Sequence, residues 1–364
     1  MSYICCQERS KILLLLNRSN LEKDIGANEE GQSKLQETRP IPEPLDNEVL
    51  IQIQSTGICG SDIHYWHRGT TGRFTVKDPM VLGHESSGKV VKIGQKVTSL
   101  AVGEKVAIEP GIPCKLCHLC RSGKYNLCEE VRFCATPPVD GTLARYYAHP
   151  ADFCFKLPQS MSYEYGALIE PLSVAVYSAE RAEVGLGSKV LVLGAGPVGL
   201  LCLLVAKAAG AASIGITDIL QSRLDFAEEL GADYTLLANG HGSATAADLI
   251  KANIGEVNAA FECSGATSSL QLGIKCLKRR GILVTVGRGT PEVSLNVSQI
   301  LQKELEIRGI FRYANCYQKA LDLVSSGKVD LSRFVTHRFA LEESEQALEA
   351  AHGGKGVKIM INSF

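Results

Sequence analysis

Between positions 48 and 152 the apolar residues come in short runs, at 49–54, 88–93, 105–108 and 144–148, each broken by Gly, Pro or Asp. Short β-type runs bounded by turn formers predict an irregular, loop-rich β domain. From about Pro171 the pattern changes. Apolar runs at 189–193, 212–217, 234–237, 258–263, 281–287 and 305–311 alternate with helical stretches such as 197–209 and 222–230. Six strands with helices between them predict a doubly wound parallel sheet, so the fold class is α/β. The tail, 317–364, reads as two helices and a final strand. Upstream, 21–36 is polar without a clear period, and the proline-marked stretch 39–44 opens the first compact domain.

The chain has 364 residues, 45% of them hydrophobic, enough for two domains with sizeable cores. Lys and Arg total 38 against 39 Asp and Glu, which gives no electrostatic pull toward nucleic acid or anionic lipid. The apolar run 12–16 is too short for a signal peptide, and no segment reaches the roughly 18 apolar residues of a spanning helix. A cytoplasmic location follows as the expectation. In a reducing compartment clustered thiols more often bind metal than form disulfides.

Gly194-Ala-Gly196-Pro-Val-Gly199 follows a strand and opens a helix. Gly194 permits the tight turn, Gly196 lets backbone approach a pyrophosphate, and Gly199 allows close helix packing. Asp218, nineteen residues after Gly199, ends the second strand, where a carboxylate accepts from ribose hydroxyls and repels a 2′-phosphate. The cofactor expected is NAD.

Cys114, Cys117, Cys120 and Cys128 place four thiols in fifteen residues, a spacing open to disulfide, redox, nucleic-acid-binding or metal roles. The flanking Lys115, Arg121 and Lys124 are too few for a basic nucleic-acid-binding face. Separately, Cys59, His84 and Glu85 offer thiolate, imidazole and carboxylate, a mixture suited to a three-ligand catalytic zinc. Each of the three taken singly also reads as ordinary core.

Longer motifs carry a resemblance. Gly83-His84-Glu85-x-x-Gly88 followed by Gly94 and Val97 is similar to the zinc signature of the medium-chain dehydrogenase superfamily. Gly-Ile-Cys59-Gly-Ser-Asp-Ile-His64-Tyr65-Trp66, Phe133-Cys-Ala-Thr-Pro-Pro, Ala-Leu-Ile-Glu170-Pro171 and Gly-Ile-Phe-Arg312-Tyr313 resemble the zinc-dependent polyol dehydrogenases of the sorbitol dehydrogenase family. The likeness runs from about Arg39 to the C-terminus.

The resemblance implies a GroES-like catalytic domain at 1–170 and 311–364 around a Rossmann domain at 171–310, with 1–38 either a mobile arm or a diverged edge hairpin. It implies one catalytic zinc on Cys59, His84 and Glu85, with Glu170 a partner directly or through water. It implies one structural zinc on Cys114, Cys117, Cys120 and Cys128. A proton would leave through water and Glu170, or through a relay of Ser61 and His64. Substrate contacts would come from Tyr65, Phe133, Arg312 and Tyr313, with Trp66 either a wall of the site or plain core. Cofactor positions would add Val198, Arg223, Val286, Gly287, Arg288, Ile310, Phe311 and Arg312. Arg288 stands where relatives commonly have a small or apolar residue.

The activity implied is NAD-dependent oxidation of sorbitol, and also of xylitol, to the ketose by a homotetramer with neither a nucleic-acid nor a membrane partner. A related L-arabinitol or threonine dehydrogenase is the neighbouring reading. A non-catalytic zinc-binding scaffold is the reading from another class.

Overall fold

A computed structural model describes residues 12–15, 36–37 and 40–363. The chain divides into two units, Met1–Glu170 with Leu331–Phe364, and Pro171–Asp330.

The first unit is built on a seven-stranded sheet centred on Glu48–Gly57. One edge of that ten-residue strand pairs antiparallel with Glu85–Ile93 along its whole length. The other edge is shared, its first half by Tyr146–Pro150 and its last three residues by the C-terminal strand Lys358–Asn362. Alternation explains the core: Val49, Ile51 and Ile53 point to one face and pack on Val90, Val106 and Ile108. The register also sets Gly57 opposite Glu85 on one side and Met360 on the other. Three distant segments thereby meet at one strand end.

Two elements of this unit depart from the sequence pattern. Gly60–Arg68 is a helix, whose first turn is fixed by the Asp62 side chain accepting from the N–H of Cys59. Val335–Ala340 is an additional strand beside Lys358–Asn362, and its Thr-His-Arg centre carries alternate exposed residues, as an edge strand does. Near the N-terminus, Ile12–Leu15 pairs parallel with both Gln36–Glu37 and Met80–Val81, so these strands do not form a hairpin. The rest of 1–38 lies outside the described residues.

In the second unit six strands run parallel in the spatial order Tyr234–Leu237, Ser213–Asp218, Lys189–Leu193, Val257–Glu262, Leu277–Thr285, Glu306–Gly309. Numbered along the chain this is 3-2-1-4-5-6, the doubly wound order. The expected return to the first domain at 311 is moved to Leu331. Helix Tyr317–Ser325 accounts for the shift: Tyr317, Ala320 and Leu321 are buried, and Lys319 pairs with Glu180 of helix Tyr163–Arg181 at 2.5 Å. No helix of the described residues is long and apolar enough to cross a membrane.

Candidate active site

Cys59, His84 and Glu85 come together with one potential ligand atom from each, all within 4.8 Å of one another. Cys59 caps the helix Gly60–Arg68, while His84 and Glu85 enter the strand Glu85–Ile93. Asp62, 2% exposed, holds the segments together. One of its oxygens accepts from the N–H of Cys59 at 3.0 Å, and the other from the N–H of Gly83 at 3.1 Å. That second oxygen also lies 3.4 Å from Nδ1 of His84. A carboxylate on Nδ1 fixes the ring and leaves Nε2 to a metal.

The charges suit a cation. Burial opposes the charged form of His84, yet Asp62 and Cys59 hold its pKa well above the ordinary value. Burial likewise opposes the charge of Lys358, but Glu85, Cys59 and Glu170 raise its pKa instead. Lys358 forms an ion pair with Glu85. The space around Glu85 depends on Gly57, where an added Cβ would stand 2.3 Å from Oε2 of Glu85. A thiolate, an imidazole and a buried carboxylate in a cradle kept open by glycine form a donor set that fits zinc.

Glu170, 5% exposed, is outside the three-residue cluster, although its charge acts on Lys358 and on Glu109. Burial pushes the Glu109 carboxyl up to about 7, with the Tyr125 hydroxyl at 2.7 Å opposing the rise and Glu170 adding to it.

The sulfurs of Cys114, Cys117, Cys120 and Cys128 also converge within 4.8 Å. The N–H groups of Cys117 and Cys120 donate to Sγ of Cys114 and Cys117 at 3.3 and 3.5 Å, and that of Cys114 to Sγ of Cys128 at 3.5 Å. Backbone donors pull the Cys114 thiol down to about 7, whereas burial and the neighbouring thiols push Cys120 up to about 12. Four sulfurs at this range repel once ionised, and a divalent cation with a closed tetrahedral shell removes the conflict.

In the second unit Gly194 turns with φ +107°, and its N–H donates to Thr217 at 2.8 Å. Gly196 caps the helix Pro197–Ala208 and has no atom within 4 Å of an added Cβ, so its outer face is open to a ligand. Gly199 lies against the Gly194 carbonyl, 1.9 Å from where its Cβ would be. Asp218 accepts from the N–H groups of Ala195, Ile219 and Leu220 at 2.7, 2.8 and 3.0 Å, and Arg223 stands 3.8 Å away. Backbone donors thus aim the acid at the glycine turn.

The family described as "Alcohol dehydrogenase GroES-like domain" matches residues 45–159, and "Zinc-binding dehydrogenase" matches 197–326. A sorbitol dehydrogenase of Gallus gallus is 48% identical over 326 residues, 89% of this chain and 92% of the relative. The chain belongs to the zinc-binding dehydrogenases of the sorbitol dehydrogenase family. A protein of Aspergillus clavatus named "Probable D-xylulose reductase A" is also 48% identical, covering 89% and 92%. Among solved structures, L-idonate 5-dehydrogenase of Escherichia coli matches with a TM-score of 0.81 at 32% identity, covering 87% of this chain and 92% of that one.

Other expected positions of this zinc-binding dehydrogenase are dispersed. Ser61 is half-buried and His64 exposed on the helix after Cys59, while Tyr65 and Trp66 pack into the core with Ile58 and Ile359. The Phe133 ring stands 5.8 Å from that of His84. In the second unit Arg312, at φ +56°, lays its guanidinium 4.8 Å over the Phe311 ring, and Tyr313 is buried against Tyr317. Val198 is on the first turn of the helix Pro197–Ala208, between Gly196 and Gly199, and the Ile310 N–H donates to the Thr285 carbonyl at 3.3 Å. Val286 and Gly287 both donate to the Glu262 carbonyl, and Arg288 beyond them is exposed.

Sequence reasoning missed three residues. Asp62 was legible only as a helix-capping acid three residues after Cys59. Lys358 gave no signal. Neither did Glu262, whose buried carboxylate accepts from the N–H groups of Ser264 and Gly265 at 2.9 and 2.8 Å and shapes the turn beside Gly194.

Proposed function

We propose that this protein oxidises a polyol at a secondary hydroxyl with NAD, converting sorbitol to fructose and xylitol to xylulose, and reverses the reaction. The observation that carries the reading is the cluster of half-buried Cys59 with buried His84 and Glu85, pinned by Asp62, in a chain whose relatives are named for sorbitol and xylulose. When bound, zinc supplies charge stabilisation for a deprotonating alcohol and the nicotinamide supplies the hydride acceptor.

The residues of the chain do the rest. Cys59, His84 and Glu85 hold the metal, and Asp62 keeps the His84 ring oriented. Glu170 takes up the released proton through water, in preference to the Ser61 and His64 relay, because it is buried and close enough to act on Lys358. Gly194, Gly196 and Gly199 cradle the pyrophosphate, Asp218 the ribose, and Arg312 with Tyr313 the substrate hydroxyls. The first unit carries the chemistry and the second the dinucleotide. The working form is a cytoplasmic homotetramer, which the mass of the purified protein in solution tests.

The deciding experiment is a substrate panel. Sorbitol and xylitol with NAD should turn over at least about tenfold faster than threonine or simple alcohols, since a site built for a row of hydroxyls rejects analogues that lack them. Equal rates on simple alcohols would overturn the polyol assignment. Preference for NADP would overturn the role given to Asp218.

A further inference from the structure

The ammonium of Lys358 lies within the wall of the metal site, an uncommon place for a charge unless something there uses it. The residue is 4% exposed and begins the C-terminal strand. It pairs with Glu85 and donates to the Ile58 carbonyl at 3.0 Å, next to Cys59. One side chain therefore ties both ligand-bearing segments to a strand 300 residues downstream. Gly57 makes room for this arrangement: an added Cβ would stand 2.3 Å from Oε2 of Glu85 and 3.1 Å from Cε of Lys358.

The carboxylate neutralised by Lys358 is also one of the three metal donors. A divalent cation at the cluster is attracted by the thiolate and carboxylate and repelled by the ammonium. Without the cation, the same ammonium offsets a buried carboxylate that would otherwise be uncompensated. Both effects have the same sign: the lysine stabilises the metal-free form and weakens the metal-bound one.

We infer that Lys358 is a positioning residue that shares the Glu85 carboxylate with the metal, so that the zinc at Cys59, His84 and Glu85 exchanges while the surrounding fold persists. The inference rests on the zinc reading proposed above. It assigns to the end of the chain a control over metal exchange, separate from any contact with substrate.

The test follows zinc release from the loaded, full-length protein to a chromophoric chelator, with the four-thiolate zinc as internal control. K358M is expected to release the Cys59 zinc about tenfold or more slowly than the parent, and K358R to restore the parent rate. The metal-free K358M protein should melt below the metal-free parent. Should K358M fold poorly, K358Q decides, because its amide can still donate to the Ile58 carbonyl without the charge, and it should likewise release the Cys59 zinc more slowly than the parent. Release from either variant as fast as from the parent would overturn the inference and leave Lys358 a structural strut. A parent protein holding only the four-thiolate zinc would instead sink the metal reading itself.

Discussion

Glu109 and His149 give the first unit opposed responses to pH. Burial holds His149 down to about 4, and its Nε2 donates to the Glu109 carbonyl at 2.9 Å. Its contribution to stability is present above the ordinary histidine pKa of about 6.5 and is lost as pH falls through about 4. Glu109, pushed up to about 7, contributes stability that is complete below about 4.5 and is lost as pH rises through about 7. E109Q removes that second slope. With the His149 slope left unopposed, the unfolding free energy from urea titration should change between pH 5 and pH 8 in favour of pH 8 in E109Q relative to the parent, by on the order of 3 kcal/mol at most; an unchanged pH dependence would refute the assignment. At this scale the sequence disclosed the candidate ligands but not the side chains that support them. Cys59, His84 and Glu85 are read from spacing and chemistry, whereas Asp62 and Lys358 act through contacts that only the folded chain creates.

At the scale of elements, the parallel sheet was legible because its strands are continuous apolar runs separated by helical stretches. The strand Leu277–Thr285 begins four residues ahead of the pattern, since exposed Lys278, Arg279 and Arg280 hide a segment that starts pairing at Val257 and Leu277. Helix Gly60–Arg68 escaped notice because Gly, Ser and Asp at its start read as a turn, and its buried Tyr65 and Trp66 find their partners elsewhere in the chain. The glycine turn supplies the prediction here. Gly194 at φ +107° is in a region that costs an L-residue about 1–2 kcal/mol, and a β-branched one more. G194V should weaken NAD binding about tenfold or more by fluorescence titration while zinc content is unchanged, because the metal donors belong to the other unit. Unaltered NAD affinity would contradict the role of the turn.

For the whole molecule, the two zinc sites separate chemistry from architecture. Metal analysis should find two zincs in the parent and one in each of C59S and C120S, since each substitution takes a thiolate out of its donor set. Turnover should vanish only in C59S, while C120S should melt several degrees lower with its Michaelis constant for polyol little changed. Loss of turnover in both to the same degree would show that the lobe takes part in the chemistry. The two-unit plan was visible from composition and pattern, but the return point was not. Its position at Leu331 depends on helix Tyr317–Ser325 finding burial beside Tyr163–Arg181, which no local pattern announces.

The placement of Lys358–Asn362 between Glu48–Gly57 and Val335–Ala340 also orders events during synthesis. The unit Pro171–Asp330 is contiguous and can close while translation continues. The earlier segment cannot, because the strand that completes its sheet and brings Lys358 to Glu85 is made only after that whole unit. The candidate metal pocket is consequently finished only once residue 358 has been made, and a nascent chain short of it carries its cysteine, histidine and glutamate without the lysine that pairs with them.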